Sequence, residues 1–328
     1  MTKLVCSQLS KPLEGRKKGI PVSFLIPTLN EALNLPDALA SVAGWAEEAI
    51  VLDSFSTDQT LEIAEQFHAQ VVQHRFEGYA KQWNWALENI PFRCEWVFVL
   101  DADERVTAEL RKELEDLFPV LKDAAFDGFY VNLRLIFMGR WLKHGGLYPT
   151  WFLRLFRRHR ARFEIRPLNE HVVLEGKTGH LKSPLVHDDR RSLSHWVEKH
   201  NRYADLQAEE FLQEKFQGGY QGTIKVRFWG EQAERKRWIK LKVWNRLPLL
   251  LRPFLFFFRN YFLKGGFLDG GPGFIYHVLW SFWYPFLVSA KIVERKKMFP
   301  AEALGSLLKA KAMTSLTREQ SEQSRLGV

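Results

Sequence analysis

Between residues 20 and 120 the sequence alternates short apolar runs with amphipathic stretches, and this alternation constrains the fold more than any other feature. The runs "VSFLIP" (22–27), "AIVLD" (49–53), "QVVQH" (70–74) and "WVFVL" (96–100) read as strands. A strand buried on both faces is continuously hydrophobic, as in a parallel sheet. Helix patterns separate them. Leu35, Leu39 and Val42 share one face behind Asn34 as N-cap, "KQWNWALENI" covers 81–90, and "TAELRKELEDLF" covers 107–118 from Thr107. In "DSFSTDQT" Ser56 as N-cap with Gln59 three residues on reads as a capping box. Strands and helices in this alternation predict an α/β fold built from βα units.

From about Phe126 the texture changes. "DGFYVNLRLIFMG" and "TWFLRLFRR" alternate like half-buried strands, so the sheet is expected to become mixed. "LSHWVEKHNRYADLQAEEFLQEKF" (193–216) is a long amphipathic helix. Further on, "LPLLLRPFLFFFRNYFL" (247–263) and "FIYHVLWSFWYPFLVSA" (274–290) flank the Gly-rich "KGGFLDGGPG". Each apolar segment is at the short end for a membrane span, and Arg252, Pro253, Arg259, His277 and Pro285 interrupt them. Helices lying in or re-entering a membrane interface are expected, against the alternative of a buried helical hairpin.

The net charge of +9 is concentrated. Residues 221–264 hold about 11 Lys and Arg against about 2 Glu, together with Trp229, Trp238 and Trp244. A basic stripe with aromatics fits nucleic acid or an anionic membrane; its continuation into two apolar segments favours lipid, and no nucleic-acid partner is expected. Two cysteines, Cys6 and Cys94, exclude a disulfide framework and a cysteine metal centre. The first residues lack an apolar h-region, so no signal peptide is expected.

Ligands of an open α/β sheet bind beyond the carboxyl ends of its strands. That rule points to Pro27–Glu31, Asp53–Asp58, His74–Gly78 and Asp101–Glu104. In "VFVLDADERV" an apolar run ends at once in Asp101, Asp103 and Glu104, and such like charge calls for a positive partner. Mg²⁺ is usually held by one or two carboxylates plus substrate phosphates, which an Asp-x-Asp supplies. Helix capping is the alternative, but Thr107 already fills that position. Asp53 could accept hydrogen bonds from a nucleotide's base or ribose, with Glu31 beside it.

"VSFLIPTLNEALNLPDALASV", "EAIVLDSFSTDQTLEIA", "EGYAKQWNWALE" and "WVFVLDADERV" together resemble, in order and spacing, glycosyltransferase family two, inverting enzymes of GT-A (Rossmann-like) fold. The likeness extends more loosely through "GRWLKHGGLYPTWFLRLFRR", "RPLNEHVVLEG" and "YFLKGGFLDGGPGF", and is similar to the lipopolysaccharide core β-glucosyltransferase branch. It implies a nucleotide diphosphate sugar donor (UDP-glucose first), a lipid-anchored saccharide acceptor, and work at the cytoplasmic face of the inner membrane. A polyprenyl-phosphate or exopolysaccharide acceptor is the alternative. By resemblance, Thr28, Glu31 and Asp53 hold the nucleoside. Lys81 and Asn84 approach the diphosphate or sugar, Asp101 the ribose or the metal's water shell, and Asp103 ligates Mn²⁺ or Mg²⁺, with His187 as a further ligand. An inverting transfer needs a general base. Glu170 in "PLNEHV" is the expected one, with Asp188 or Asp189 in reserve, although relatives carry the acid and His in the other order. Arg154 is a candidate contact for a phosphate or anionic acceptor. The expected organisation is a basic tail (1–19), a GT-A domain (20–220, donor half to about 120, acceptor half 121–220), a membrane-associating helical region (221–300) and a polar tail (301–328).

Overall fold

A computed structural model describes residues 19–121, 126–164, 171–216 and 246–298, plus isolated positions from 229 to 243. The first half runs β1 (Ile20–Thr28), α1 (Leu35–Val42), β2 (Ala46–Asp53), α2 (Thr60–Gln66), β3 (Gln70–Gln73), α3 (Tyr79–Asn89), β4 (Trp96–Val99), β5 (Glu104–Val106) and α4 (Ala108–Leu117). There follow β6 (Gly128–Phe137), β7 (Arg140–Trp141), β8 (Trp151–Arg157), β9 (Ala161–Phe163), β10 (Val172–Leu174), β11 (Thr178–His180), β12 (Leu185–His187) and α5 (Leu193–Phe216).

The main sheet has the order β3-β2-β1-β4-β8-β6-β12-β5, with β7 and β11 pairing β6. β1 runs parallel to β2 and β4, and β2 parallel to β3. β8 is antiparallel to both β4 and β6, and β12 is parallel to β6. The sheet is therefore mixed from β8 onward, as the change of texture after Phe126 suggests. The carboxyl ends of β1, β2, β4, β6 and β12 all point to one edge, and chemistry is gathered there.

Two apolar layers sandwich the sheet. On one side Phe24, Ile26, Phe98 and Leu100 pack against Leu39 of α1, Ala64 of α2 and Leu110 and Leu114 of α4. On the other, Leu25, Ile50, Leu52, Val97 and Val99 pack against Trp83, Ala86 and Leu87 of α3. Successive strand residues face opposite layers, so both faces must be apolar, and this is why these strands read as unbroken runs. Full burial of a side chain such as Phe24 contributes roughly 1.5–3 kcal/mol.

β8 breaks its own alternation. Phe129 pairs with Leu155 and Tyr130 with Leu153, leaving Arg154 as the extra residue of a β-bulge. Leu153 belongs to the α3-side layer and Leu155 to the other.

The C-terminal part is a helical hairpin. α6 (Arg252–Phe257) widens into a π-type turn over Phe258–Leu263. After Gly266–Asp269, α7 (Gly270–Tyr276) widens likewise over His277–Trp283 and continues as α8 (Tyr284–Met298). Tyr284, Val288 and Ile292 of α8 form an apolar cluster with Ala204, Ala208 and Leu212 of α5. A tight backbone joint links the hairpin to the loop before β8. Gly145, at φ +69°, approaches the His277 ring so closely that a Cβ there would lie 2.1 Å from its Nε2. Asp269, buried, accepts from the His144 main-chain N–H at 2.9 Å and lies 2.7 Å from its Nδ1. Among the described residues no helix is long and apolar enough to cross a membrane.

Two capping expectations are corrected. Helix α2 begins with Gln59 at its N-cap position and without a side-chain cap. Ser56 instead turns back to Asp53, and Asp58 accepts from the Thr60 N–H at 3.0 Å. Asn34 does stand at the N-cap of α1, but its side chain makes no capping bond and reaches across to Glu31 and Asp189. Thr107 caps α4 as expected, accepting from the Leu110 N–H at 3.1 Å.

Candidate active site

At the ends of β1 and β2, Thr28 and Asp53 are register partners, and both are buried. The Asp53 carboxylate accepts from Thr28 Oγ1 at 3.0 Å, the Ser56 N–H at 3.0 Å, Ser56 Oγ at 2.5 Å and Gln73 Nε2 at 3.0 Å. It thereby ties three strands and the following loop together. Asn30, at φ 56°, completes the corner: its N–H donates to Ser56 Oγ at 2.8 Å and its Oδ1 accepts from the Thr57 N–H at 2.8 Å. Thr28 and Asp53 thus come together in a hydrogen-bonded shelf at the sheet's carboxyl edge.

The acidic run after β4 is divided between two arginines. The bulge aims Arg154 at Asp101, 2.7 Å away, and at Glu104. Enclosure works against the Asp101 charge, yet the guanidinium outweighs it and holds the carboxyl below its usual range. Glu104 is fully buried, and burial pushes its pKa well up, with Asp101 and Asp103 adding to the rise. Arg154, expected to meet an external anion, pairs through one terminal nitrogen with these two carboxylates.

Arg191 is the second hub. It grips Asp189 through Nε at 2.8 Å and a terminal nitrogen at 2.7 Å, reaches Glu31 at 2.8 Å, and lies 3.8 Å from Asp103. Burial opposes the Asp189 charge, but this two-pronged bond holds its carboxyl far below the usual range. Glu31 is different: burial dominates and raises its pKa to about 7 despite Arg191 and Asn34. Asp188 pairs with Arg105 at 2.5 Å. Neither reserve base therefore stands with a free carboxylate, and Asp189 lacks the basicity for the task.

Asp103 and His187 meet across the β5–β12 pair. His187 Nδ1 lies 3.6 Å from Asp103 Oδ1, and the Asp188 N–H donates to the Asp103 carbonyl at 2.9 Å. A hard carboxylate oxygen and an imidazole side by side suit Mn²⁺ or Mg²⁺. No group of three or more His, Cys, Asp or Glu is poised to hold a metal among the described residues. The donor set fits a cation that takes its remaining ligands from a diphosphate and water.

On α3, Lys81 and Asn84 stand one turn apart on the helix. Asn84 is committed to the fold: its Nδ2 donates to the Phe163 carbonyl at 2.9 Å and its Oδ1 accepts from the Phe163 N–H at 2.7 Å. That double clamp on β9 uses one Nδ2 hydrogen and one Oδ1 lone pair and fixes the amide to the fold. Glu170 falls outside the described residues.

Arg191 and Asn34 were not legible as site residues. "HDDRRS" shows charge at the end of β12, but no local spacing reveals that one of its arginines meets Glu31, 160 positions away.

Residues 23–179 match the family model Glycosyl transferase family 2, and this stretch is a glycosyltransferase family 2 domain of mixed, GT-A-like α/β fold. The chain is 28% identical over 285 residues to the lipopolysaccharide core biosynthesis glycosyltransferase LpsC of Rhizobium meliloti (strain 1021), covering 84% of this chain and 93% of that protein. It is 27% identical over 284 residues to an uncharacterized glycosyltransferase of Rickettsia felis, covering 83% and 89%. Among solved structures, Staphylococcus aureus TarS 1–349 overlaps at TM-score 0.39 with 18% identity, covering 84% of this chain and 91% of that one. Mycobacterium tuberculosis glucosyl-3-phosphoglycerate synthase, solved with Mn²⁺, UDP and phosphoglyceric acid, overlaps at TM-score 0.38 with 17% identity, covering 58% and 78%.

Proposed function

We propose that this chain is a metal-dependent inverting hexosyltransferase that moves glucose from UDP-glucose to a lipid-linked saccharide of the lipopolysaccharide core type. The observation that carries the reading is the acidic edge itself. Thr28 and Asp53 form a hydrogen-bonded shelf, and Asp103 with His187 forms a sparse cation seat, all at the carboxyl ends of one parallel set. The likeness to LpsC supports the acceptor class.

In this reading the corner that Asp53 and Thr28 fix holds the uridine, while Asp103 and His187 hold the cation. A cation bound there neutralises charge on the departing diphosphate. Glu170 takes the proton of the acceptor hydroxyl as its oxygen bonds to the anomeric carbon and the carbon–diphosphate bond breaks, so the configuration inverts. Arg154 keeps Asp101 ionised and in place beneath the diphosphate. Lys81 is the α3 residue that reaches toward the donor.

The enzyme works at the cytoplasmic face of the inner membrane. The hairpin supports this, since it exposes Phe254, Phe258, Phe262, Leu263, Phe267 and Leu268 to solvent. Exposed apolar surface on this scale marks an interaction face, and the basic sequence preceding it suits anionic lipid.

Calorimetric titration of the detergent-purified chain with UDP, with and without Mn²⁺, tests the reading. Binding that needs Mn²⁺ and is lost in Asp103→Ala is the expected result. Equal affinity for UDP in Mn²⁺ by the variant would overturn the cation role, and no UDP binding by the wild type would overturn the donor.

A further inference from the structure

We propose that the carboxyl end of β6 carries a subsite for an anionic group, phosphate or carboxylate, on the acceptor saccharide. It is built from Asn132, Arg134, Trp141 and Lys143. The inference rests on the glycosyltransferase reading above but uses none of the donor-side residues.

Alternation along β6 puts Asn132 and Arg134 on one face, and the short β7 returns Trp141 beside Ile136 at its end. Arg134 and Lys143 both lie against the Trp141 ring, with the guanidinium carbon 4.9 Å and the ammonium 4.4 Å from its centroid. Among the described residues neither cation forms an ion pair. Two positive charges gathered on one indole repel each other, and the ring's negative face offsets that only in part.

The polar atoms beneath them are unpaired as well. Asn132 is 4% exposed and its Oδ1 has no partner. Arg134 Nε and Trp141 Nε1 are buried N–H donors without acceptors. Buried polar groups are nearly always hydrogen-bonded, so three unsatisfied atoms together form a prepared set: two donors and two cations for an anion, one acceptor for a hydroxyl. Tyr148 packs edge-on against Trp141 at 5.2 Å and holds in place the ring on which both cations rest.

The position suits an acceptor. This end of β6 shares the sheet edge with Asp101 and Asp103, because β6 runs parallel to β12 and, through β8, to β4. On its far side Arg140 reaches the Leu268 carbonyl, His144 meets Asp269, and Phe137 packs on Tyr276 of the hairpin. The subsite thus lies between the donor residues and the surface facing lipid.

Saturation-transfer NMR on the full chain in detergent, with glucose 6-phosphate and glucose as probes, tests the assignment. Glucose 6-phosphate binds at least about tenfold tighter than glucose, and Lys143→Gln and Arg134→Gln each weaken it by about tenfold. Affinity for UDP with Mn²⁺ stays unchanged in both variants. Lys143 is exposed, so its variant carries the test if Arg134→Gln fails to fold. Equal binding of the two probes, or sugar-phosphate binding unaffected by Lys143→Gln, overturns the proposal. Loss confined to cosedimentation with phosphatidylglycerol vesicles overturns it in favour of a lipid headgroup. Failure of the wild type to bind UDP sinks the donor reading instead, and leaves the sugar-phosphate comparison to decide this one.

Discussion

Replacing Arg154 by Met keeps most of the side-chain volume and removes the charge that Asp101 and Glu104 share. The Arg154 side chain is 12% exposed and that of Glu104 1%, so solvent cannot take over the pairing lost at Glu104, whereas Asp101, 40% exposed, is partly hydrated. Breaking one partner out of a buried ion pair costs about 3–5 kcal/mol. For a domain of this size each kcal/mol lowers Tm by about 2–4 °C, so the expected drop is about 6–20 °C. The loss has a pH signature. Burial already raises the Glu104 pKa well above its ordinary 4.5, and removing Arg154 raises it further. A carboxyl with a raised folded-state pKa binds its proton more tightly in the native state, and that advantage fades as pH climbs above the unfolded value. The deficit of Arg154→Met therefore grows as pH rises through the raised wild-type Glu104 value, and adding Glu104→Gln recovers part of it at the high-pH end. Thermal unfolding of the full chain across that pH range reads this directly. A drop of less than about 1 kcal/mol at high pH, or one that does not vary with pH, would refute the account of Arg154 as the counter-ion of the buried Glu104.

Glu31, whose pKa stands at about 7 against an ordinary 4.5, keeps a proton that the unfolded chain has released across that interval. Wild-type stability is therefore lost as pH rises from 4.5 to 7, by at most about 1.4 kcal/mol per unit. The Tm of Glu31→Gln relative to wild type improves between pH 5 and pH 8; a constant difference would contradict the burial argument. Glu170→Gln retains Mn²⁺-dependent UDP binding and loses about 10²–10⁴-fold in transfer, while full activity in that variant moves the base elsewhere. Phe254, Phe258 and Phe262 changed together to Ser lower binding to phosphatidylglycerol vesicles by more than about tenfold, each buried ring contributing roughly 1.5–3 kcal/mol. Unaltered cosedimentation would remove the hairpin from the docking surface.

The donor half was legible because its signals are local. Apolar runs of strand length, the helix stripe at Leu35, Leu39 and Val42, and the Thr107 cap each follow from neighbours a few residues apart. The placement of Asp53, Asp101 and Asp103 on one edge follows from strand direction alone. What the sequence hid depends on distant pairing. The Ser56 hydroxyl had a capping box at hand but was won by the buried Asp53 carboxylate, whose need for donors is greater. Asn84 sits where a donor contact was expected, yet β9 arrives from far along the chain to claim both ends of its amide. Arg191 binds Glu31 across the whole domain, and no periodicity encodes such a contact.

The bulge in β8 separates two demands that usually fall on one residue. Leu153 and Leu155 fill opposite layers, and Arg154 between them belongs to neither. Position 154 can exchange one cation for another without displacing a side chain on either face of the sheet. The charge that balances the acidic edge is therefore carried at a position that the two apolar layers do not constrain. Deleting Arg154 itself leaves the Phe129–Leu155 and Tyr130–Leu153 pairs in one regular register with each leucine in its own layer, so what is lost is the cation and not the packing.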